Sequence, residues 1–290
     1  MNVVAPVIVP AIVAGLMWFV AGQLWKRPAA PGLVWGGSLA IAVSFFTGYL
    51  ALMSWPPFPP ATAVHSLVYA GMAAGIVGIA ESRWRSHWAV RWAIRAAIAA
   101  AAAWAQFGML AEHTWSGAQT FGWITTVILT ICVVWDSIDT LASRRENVTT
   151  PMMMWFLACA SSVTLVFGAS ALLGQLAGCV AAACGAAVIL TIWSRNFPLD
   201  RGAAGLFAFI IVNLLWQGHF YAELPLMSLA LLILAPVAAG SADLITPDRA
   251  KPYYHLTILL GSIILLSSIA IGVAYVAYQS AALELGDYAY

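Results

Sequence analysis

Long apolar stretches separated by short polar connections repeat along the whole chain. A helix needs about 20 mostly apolar residues to cross the hydrocarbon layer of a bilayer. Dividing the chain at its charged residues, prolines and glycines gives stretches of about this length at 5–24, 32–54, 62–81, 93–112, 121–141, 151–171, 174–193, 203–220, 224–244 and 255–278. The pattern therefore predicts an all-α polytopic bundle of about ten membrane-spanning helices with short loops.

One of these divisions has no charge to mark it. Residues 151–193 include no charged side chain, and at about 1.5 Å per residue this stretch is too long for one crossing. We predict a tight hairpin near Leu173, Gly174 and Gln175, where a glycine and a polar residue interrupt the apolar sequence.

Composition supports the membrane interpretation. Hydrophobic residues make up 63% of the chain, charged residues 8%, and the mean hydropathy is +0.91. The formal net charge of +1 argues against a nucleic-acid partner, which would need a basic surface. We therefore expect a single integral membrane domain over 1–290, with halves 1–147 and 148–290 as a further division. The sequence has no GxSxG, Walker or HExxH motif, which favours a non-enzymatic role.

The basic residues predict the orientation of the chain. With ten spans, all of them lie in or beside connections on one side of the membrane: Lys26, Arg27, Arg83, Arg85, Arg91, Arg95, Arg144, Arg145, Arg195, Arg201, Arg249 and Lys251. Short cytoplasmic loops carry an excess of lysine and arginine. We therefore expect both termini to face outward and the protein to lie in a bacterial cytoplasmic (inner) membrane.

Two pairs of glycines have the GxxxG spacing that brings membrane helices close together. Gly71 and Gly75 lie in the third predicted span, and Gly174 and Gly178 lie in the seventh. Helices in lipid associate largely through close packing of such small residues. The spacing predicts close helix contacts at both places and does not distinguish packing within the chain from self-association or contact with another membrane subunit.

Few ionisable residues lie near the outer ends of the predicted spans. In the segment LAEHTWSG, Glu112 and His113 follow a long apolar stretch, and the rise of a helix puts His65, His219 and Glu223 at about the same level. Imidazole and carboxylate groups bind divalent metals, so His65, His113 and His219 are the predicted ligands, with Glu112 or Glu223 completing the set. The alternatives are a haem held by two histidines, or residues that simply lie in the wet interface.

Polar residues inside the spans are the other candidates. Gln106, Asn213 and Gln217 can bond helix to helix, or they can line a small polar path through the bundle. Asp136 and Asp139, three residues apart, are predicted to offset Arg144 and Arg145, with a cytoplasmic ion site as the alternative.

These observations leave three functions open. The first is transport, or binding of a small ligand or ion, by the outward-facing His/Glu cluster. The second is a membrane-anchor subunit of a respiratory complex that holds quinone or haem near the outer surface. The third is a structural membrane protein without a ligand.

Overall fold

The described part of the chain is almost entirely helical. A computed structural model describes residues 12–13, 15–16, 36–83, 87–144, 148–194, 201–245 and 252–287. Within these ranges the helices are α1 (Gly36–Met53), α2 (Ala63–Arg83), α3 (Trp88–His113), α4 (Gly117–Arg144), α5 (Thr149–Phe167), α6 (Ala171–Ser194), α7 (Arg201–Tyr221), α8 (Leu226–Ile245) and α9 (Pro252–Asp287). No strand occurs in the same ranges, so the prediction of an all-α polytopic bundle is confirmed.

Eight of these helices, α2 to α9, are long and apolar enough to cross a membrane. Large apolar side chains are exposed on the outside of the bundle, among them Ile76, Phe121, Ile189 and Val276. A soluble protein rarely exposes so extensive an apolar surface, whereas here it matches the apolar chains of a lipid bilayer. The first predicted span, 5–24, and the beginning of the second lie outside the described residues, apart from 12–13 and 15–16.

Successive helices run in opposite directions, so the bundle has two distinct ends. The end that carries His65, His113 and His219 is called the histidine end below. The opposite end carries Arg91 and Arg95 near the start of α3 and is called the arginine end.

The predicted hairpin lies about five residues earlier than expected. The structure ends α5 at Phe167 and begins α6 at Ala171, so Leu173 and Gly174 are helical rather than part of the turn. Ala169 has a left-handed φ of 59°, and the N–H of Ser170 donates to the carbonyl of Leu165 at 3.2 Å, which is the hydrogen bond of a Schellman helix end.

A serine cap explains where the next helix begins. Ser170 Oγ accepts a hydrogen bond from the N–H of Leu173 at 3.4 Å, as expected of an N-cap residue. Gly174 instead serves the contact between α5 and α6, where its carbonyl accepts from Ser162 Oγ at 2.7 Å. Gly174, which was expected to break the helix, therefore allows α5 and α6 to approach closely.

Both GxxxG pairs pack inside this chain. Side chains of α1 and α7 lie at 3.4–3.9 Å from the positions where Gly71 and Gly75 would carry a Cβ. A Cβ on Gly174 would overlap the side chain of Val166, and one on Gly178 would lie 3.4 Å from Ser162 Oγ, both in α5. The predicted close contacts are present, and they join helices of one molecule.

Helix α7 forms the centre of the bundle. Every residue from 202 to 218 is buried, and within the described residues α7 contacts every helix except α9. Glycines permit this packing: a Cβ on Gly202 would overlap the backbone of Gly78, and a Cβ on Gly205 would overlap the ring of Trp135. Polar residues on α7 are therefore held in the interior, away from lipid.

Candidate functional site

Three amide side chains meet between α3 and α7. Gln106 donates from Nε2 to Asn213 Oδ1 at 2.9 Å, and Gln217 donates from Nε2 to Gln106 Oε1 at 2.6 Å. The exposed fractions of Gln106, Asn213 and Gln217 are 3%, 0% and 1%. The three polar residues predicted inside the spans thus bond helix to helix, and they form one continuous chain of amides.

Carbonyl partners fix the orientation of these amides. Asn213 Nδ2 donates to the carbonyl of Phe209 at 2.7 Å, and Gln217 Nε2 also donates to the carbonyl of Ala63 at 3.1 Å. Because a carbonyl oxygen can only accept, the nitrogen of each amide must face it. The chain ends on Gln217 Oε1, which is buried and has no hydrogen-bond partner among the described residues. An acceptor buried without a partner costs about 1–3 kcal/mol.

A cavity of about 410 Å³ lies beside these amides on the histidine side. Its walls come from the connection before α2, the connection between α5 and α6, and parts of α2, α3, α6 and α7. Its polar lining residues are Thr62, Ser66, Gln106, Ser170, Gln217 and Tyr221. The cavity extends inward from the histidine end, since Gln106 lies seven residues, or about 10 Å along the helix, before His113. Among the described residues that line it, none is Asp, Glu, Lys, Arg or His.

The four hydroxyl groups that line the cavity differ in the hydrogen bonds that they make within the protein. Ser66 Oγ donates to the carbonyl of Thr62 at 3.2 Å, and the Tyr221 hydroxyl donates to the backbone carbonyl of Gln106. Each hydroxyl has a single hydrogen to donate and keeps lone pairs that can accept. Thr62 Oγ1 and Ser170 Oγ instead accept from the backbone N–H groups of His65 and Leu173, so their hydrogens remain available, and the lining offers both acceptors and donors.

His65 lies in α2 next to the cavity-lining residues Val64 and Ser66. Its ring meets the ring of Tyr49 edge to face, with centroids 6.4 Å apart. Neither His65 Nδ1 nor the Tyr49 hydroxyl has a hydrogen-bond partner among the described residues. His65 is thus partly buried between helices rather than free at the surface.

His219 belongs to an aromatic cluster at the same end. Its ring centroid lies 6.0 Å from those of Trp123 and Trp216, and Phe220 packs beside it. His219 Nδ1 lies 3.0 Å from the carbonyl oxygen of Leu224, so Nδ1 is assigned as the N–H that donates. This contact anchors the imidazole to the connection between α7 and α8.

The remaining residues of the predicted cluster lie elsewhere. Glu112, His113 and Glu223 are exposed, and the backbone N–H of Glu223 donates to the carbonyl of Gly168 at 3.0 Å. Within the described ranges, no three His, Cys, Asp or Glu residues form a group that could hold a metal ion. The expected metal site of His65, His113 and His219 is therefore not assembled. The constant rise of a helix predicts how far each residue lies along the bundle axis, but not which neighbouring helices it faces.

A cluster of charged side chains occupies the arginine end. Arg95 donates from Nη2 to Glu81 Oε2 at 2.7 Å and to Asp139 Oδ2 at 2.8 Å, and from Nη1 to Asp136 Oδ1 at 3.3 Å. Arg91 lies 3.8 Å from Asp139. The side chain of Arg95 is 1% exposed, and its guanidinium joins α2, α3 and α4.

This arrangement corrects the predicted partners of the two aspartates. Asp136 and Asp139 were expected to offset Arg144 and Arg145 by proximity in sequence. In the structure they bind Arg95 of the preceding helix, and the Arg95 guanidinium also lies over the ring of Trp135, 5.0 Å from its centroid. Arg145 lies outside the described residues.

The cavity and the Arg95 cluster are the two features that sequence reasoning missed. The spacing of Asn213 and Gln217 by four residues was the available signal for the amide chain, because it puts both on one helix face. Nothing in the sequence indicated that Gln106 would meet that face, or that a space would remain beside it.

The sequence matches no family model and no curated protein. Function has to be inferred from the cavity, the amide chain and the charged cluster themselves.

Proposed function

We propose that the protein binds a small ligand in the cavity at the histidine end. Its role is then either to transport this ligand across the membrane or to hold it at the membrane. The single observation that carries this proposal is a cavity of about 410 Å³ at one end of the buried amide chain, with Gln106 and Gln217 in its lining. Ligand pockets in proteins commonly enclose about 300–1,000 Å³ and place a few polar groups in a largely apolar wall.

The energetic cost of an unfilled space between these helices supports a ligand site here. Helices in lipid gain stability from close contact, and a space at a helix junction forfeits that contact. Polar atoms at membrane depth are costly unless they are paired or serve a function. A cavity lined by Gln106, Gln217 and Tyr221 about 10 Å inside the histidine end combines both features.

The location also fits one half of a transport cycle. Secondary transporters hold substrates near the middle of the membrane and open to one side at a time. Here the cavity is at the histidine end, while Arg95 ties α2, α3 and α4 together at the arginine end. Helices α2 and α3 contribute to both features, so they are the helices expected to move if the protein transports its ligand.

The test is the access of a water-soluble reagent to the cavity. Ala105 lines the cavity, whereas Trp104, its neighbour in α3, is 56% exposed and lies outside the lining. We expect Ala105→Cys, in protein reconstituted into lipid nanodiscs, to react with a charged methanethiosulfonate reagent, and Trp104→Cys to remain unreactive in the lipid. Three of the four native cysteines, Cys132, Cys179 and Cys184, are buried, whereas Cys159 is partly exposed. Both variants are therefore made in a Cys159→Ala background, and that parent protein gives the background labelling.

Equal and low reactivity of the two variants would overturn the cavity proposal. A Soret band in the visible spectrum of the purified protein, or co-purified quinone, would instead support the membrane-anchor alternative.

A further inference from the structure

We infer that the protein transports its ligand, and that the charged side chains around Arg95 form the gate between the cavity and the arginine end. This inference rests on the proposed ligand-binding function of the cavity. Three properties of the bundle support it: the close packing of helices at the arginine end, the buried ion pairs of Arg95, and a face of small side chains that runs from Arg95 to the cavity.

The helices around the cavity pack closely at the arginine end. A Cβ on Gly202 of α7 would overlap the backbone of Gly78 in α2 and Ser38 Oγ in α1, and a Cβ on Gly205 would overlap the ring of Trp135 in α4. Toward the histidine end, α2, α3 and α7 instead border a cavity of about 410 Å³. The described helices therefore separate toward the histidine end, as in a transporter that opens to one side at a time.

Ion pairs of Arg95 hold three helices together at the arginine end. Arg95 of α3 donates from Nε and Nη2 to the carboxylate of Glu81 in α2, and from Nη2 and Nη1 to Asp139 and Asp136 in α4. Apolar residues of similar volume often stabilise a buried site as well as an ion pair does, so stability alone gives little reason for these charges. Charged groups inside membrane helices commonly mark the path of a substrate or ion. Water can solvate each partner once this end opens, so ion pairs suit a contact that forms and breaks.

One face of α3 connects the ion pairs with the cavity. Ala99 and Ala102, which are buried, lie between Arg95 and Gln106 at spacings of four, three and four residues, so these four residues share one side of the helix. Gln106 lies eleven residues, or about 16 Å along α3, from Arg95. Because alanine side chains occupy little volume, a small displacement of α3 at the arginine end can extend the cavity along this face.

The first experiment measures how fast the charged methanethiosulfonate reagent labels Ala99→Cys in lipid nanodiscs. Ala99 is 0% exposed and lies one helical turn from Arg95. Cys132, one turn before Asp136 in α4, would become accessible if this end opened, so Cys132→Ala is added to the Cys159→Ala background. With the ion pairs intact, we expect the introduced thiol to be labelled slowly.

Variants of the ion pairs test the gate. Glu81→Gln releases α2 and leaves Arg95 paired with two aspartates, so it is milder than Arg95→Gln, which releases both α2 and α4. We expect each variant to accelerate labelling of Ala99→Cys by about tenfold or more, as for the loss of one hydrogen bond between charged groups. Arg91→Gln, which removes one contact of 3.8 Å, should have little effect. No acceleration in Glu81→Gln would overturn the gate, whether or not Arg95→Gln folds.

Gly174→Ala separates opening of the arginine end from a general loss of stability. Its Cβ would overlap Val166 in the contact between α5 and α6, near the histidine end. We expect Ala99→Cys to remain slowly labelled in this variant. Labelling as fast as in Glu81→Gln would mean that any destabilisation exposes Ala99, and it would overturn the gate.

Transport additionally requires that access alternates between the two sides of the membrane. The reagent is added to sealed membrane vesicles of both orientations that contain Ala105→Cys in the same background. With the ion pairs intact, we expect labelling in one orientation only, and Glu81→Gln should add labelling in the other orientation and slow it in the first. Labelling of the Glu81→Gln variant that stays confined to one orientation, or that is fast in both, would overturn transport through this gate. Absence of labelling in both orientations of the parent would instead overturn the ligand-binding cavity itself.

Discussion

Replacing Arg95 with glutamine removes the positive charge that Glu81, Asp136 and Asp139 share at the arginine end. Glu81 and Asp139 have side chains that are each 6% exposed, whereas Asp136 is 46% exposed and remains screened by solvent. The variant therefore leaves two buried carboxylates with reduced compensation, and Arg91 at 3.8 Å relieves only Asp139. Breaking a buried ion pair by removing one partner costs about 3–5 kcal/mol.

The assay is thermal unfolding of the purified protein in one detergent, followed by the tryptophan fluorescence of the bundle. A loss of this size should lower the melting temperature by about 5–15 °C. Arg91→Gln is the matched control, because Arg91 is 27% exposed and has one longer contact, and we expect it to cost less than about 1 kcal/mol.

A neutralised cluster provides the decisive comparison. Combining Arg95→Gln with Glu81→Gln and Asp139→Asn removes the uncompensated charges, and it should restore most of the stability lost by Arg95→Gln alone. If Arg95→Gln is no less stable than Arg91→Gln, or if the triple variant is less stable than Arg95→Gln, the electrostatic reasoning is refuted.

Three further predictions concern packing, the amide chain and topology. Gly205→Ala should destabilise the fold by about 1–3 kcal/mol because its Cβ would overlap Trp135, whereas Gly122→Ala, where no atom lies within 4 Å, should be neutral or slightly stabilising in the same unfolding assay. Gln106→Leu leaves two buried amides without their partner and should cost about 1–3 kcal/mol, a prediction that an unchanged melting temperature would contradict. A reporter fused after Tyr290 should be active outside the cytoplasm, and cytoplasmic activity would mean that the predicted number of spans is wrong by an odd number.

Helix positions were predictable because hydrocarbon thickness imposes a length on every crossing. The third to tenth predicted spans each overlap a helix of the structure, although α3 begins at Trp88 rather than 93 and α9 continues to Asp287 rather than 278. Hydropathy marks the part of a helix that lies in lipid, and it does not mark the turns that extend beyond it. His87 shows the local cause at α3, since its Nδ1 accepts from the N–H of Ala89 and caps the helix there.

The hairpin between α5 and α6 shows where local pattern fails. Gly174 was expected to end a helix because glycine often does so, but it lies inside α6 against Ser162. The signal that did mark the turn was Ser170, a residue type that caps helix N-termini. A glycine serves either purpose, and only its neighbours in space distinguish them.

The candidate site was predictable in its residues but not in its assembly. Gln106, Asn213 and Gln217 were identified because amides are costly in lipid, and they do meet. His65 and His219 were grouped with His113 by their level along the helices, and no metal-binding group forms among the described residues. Level follows from the constant rise of a helix, whereas lateral position depends on which helices pack together.

The sequence by itself determined that this is an all-α bundle of membrane-spanning helices, because that follows from the length and apolarity of each segment taken alone. Tertiary structure alone decided that α7 lies at the centre, that Arg95 binds the aspartates of α4, and that a cavity remains beside Gln217. Each of these depends on contacts between residues far apart in the chain. Periodicity and composition describe one helix at a time, whereas shape and charge complementarity between helices determine which of their faces meet.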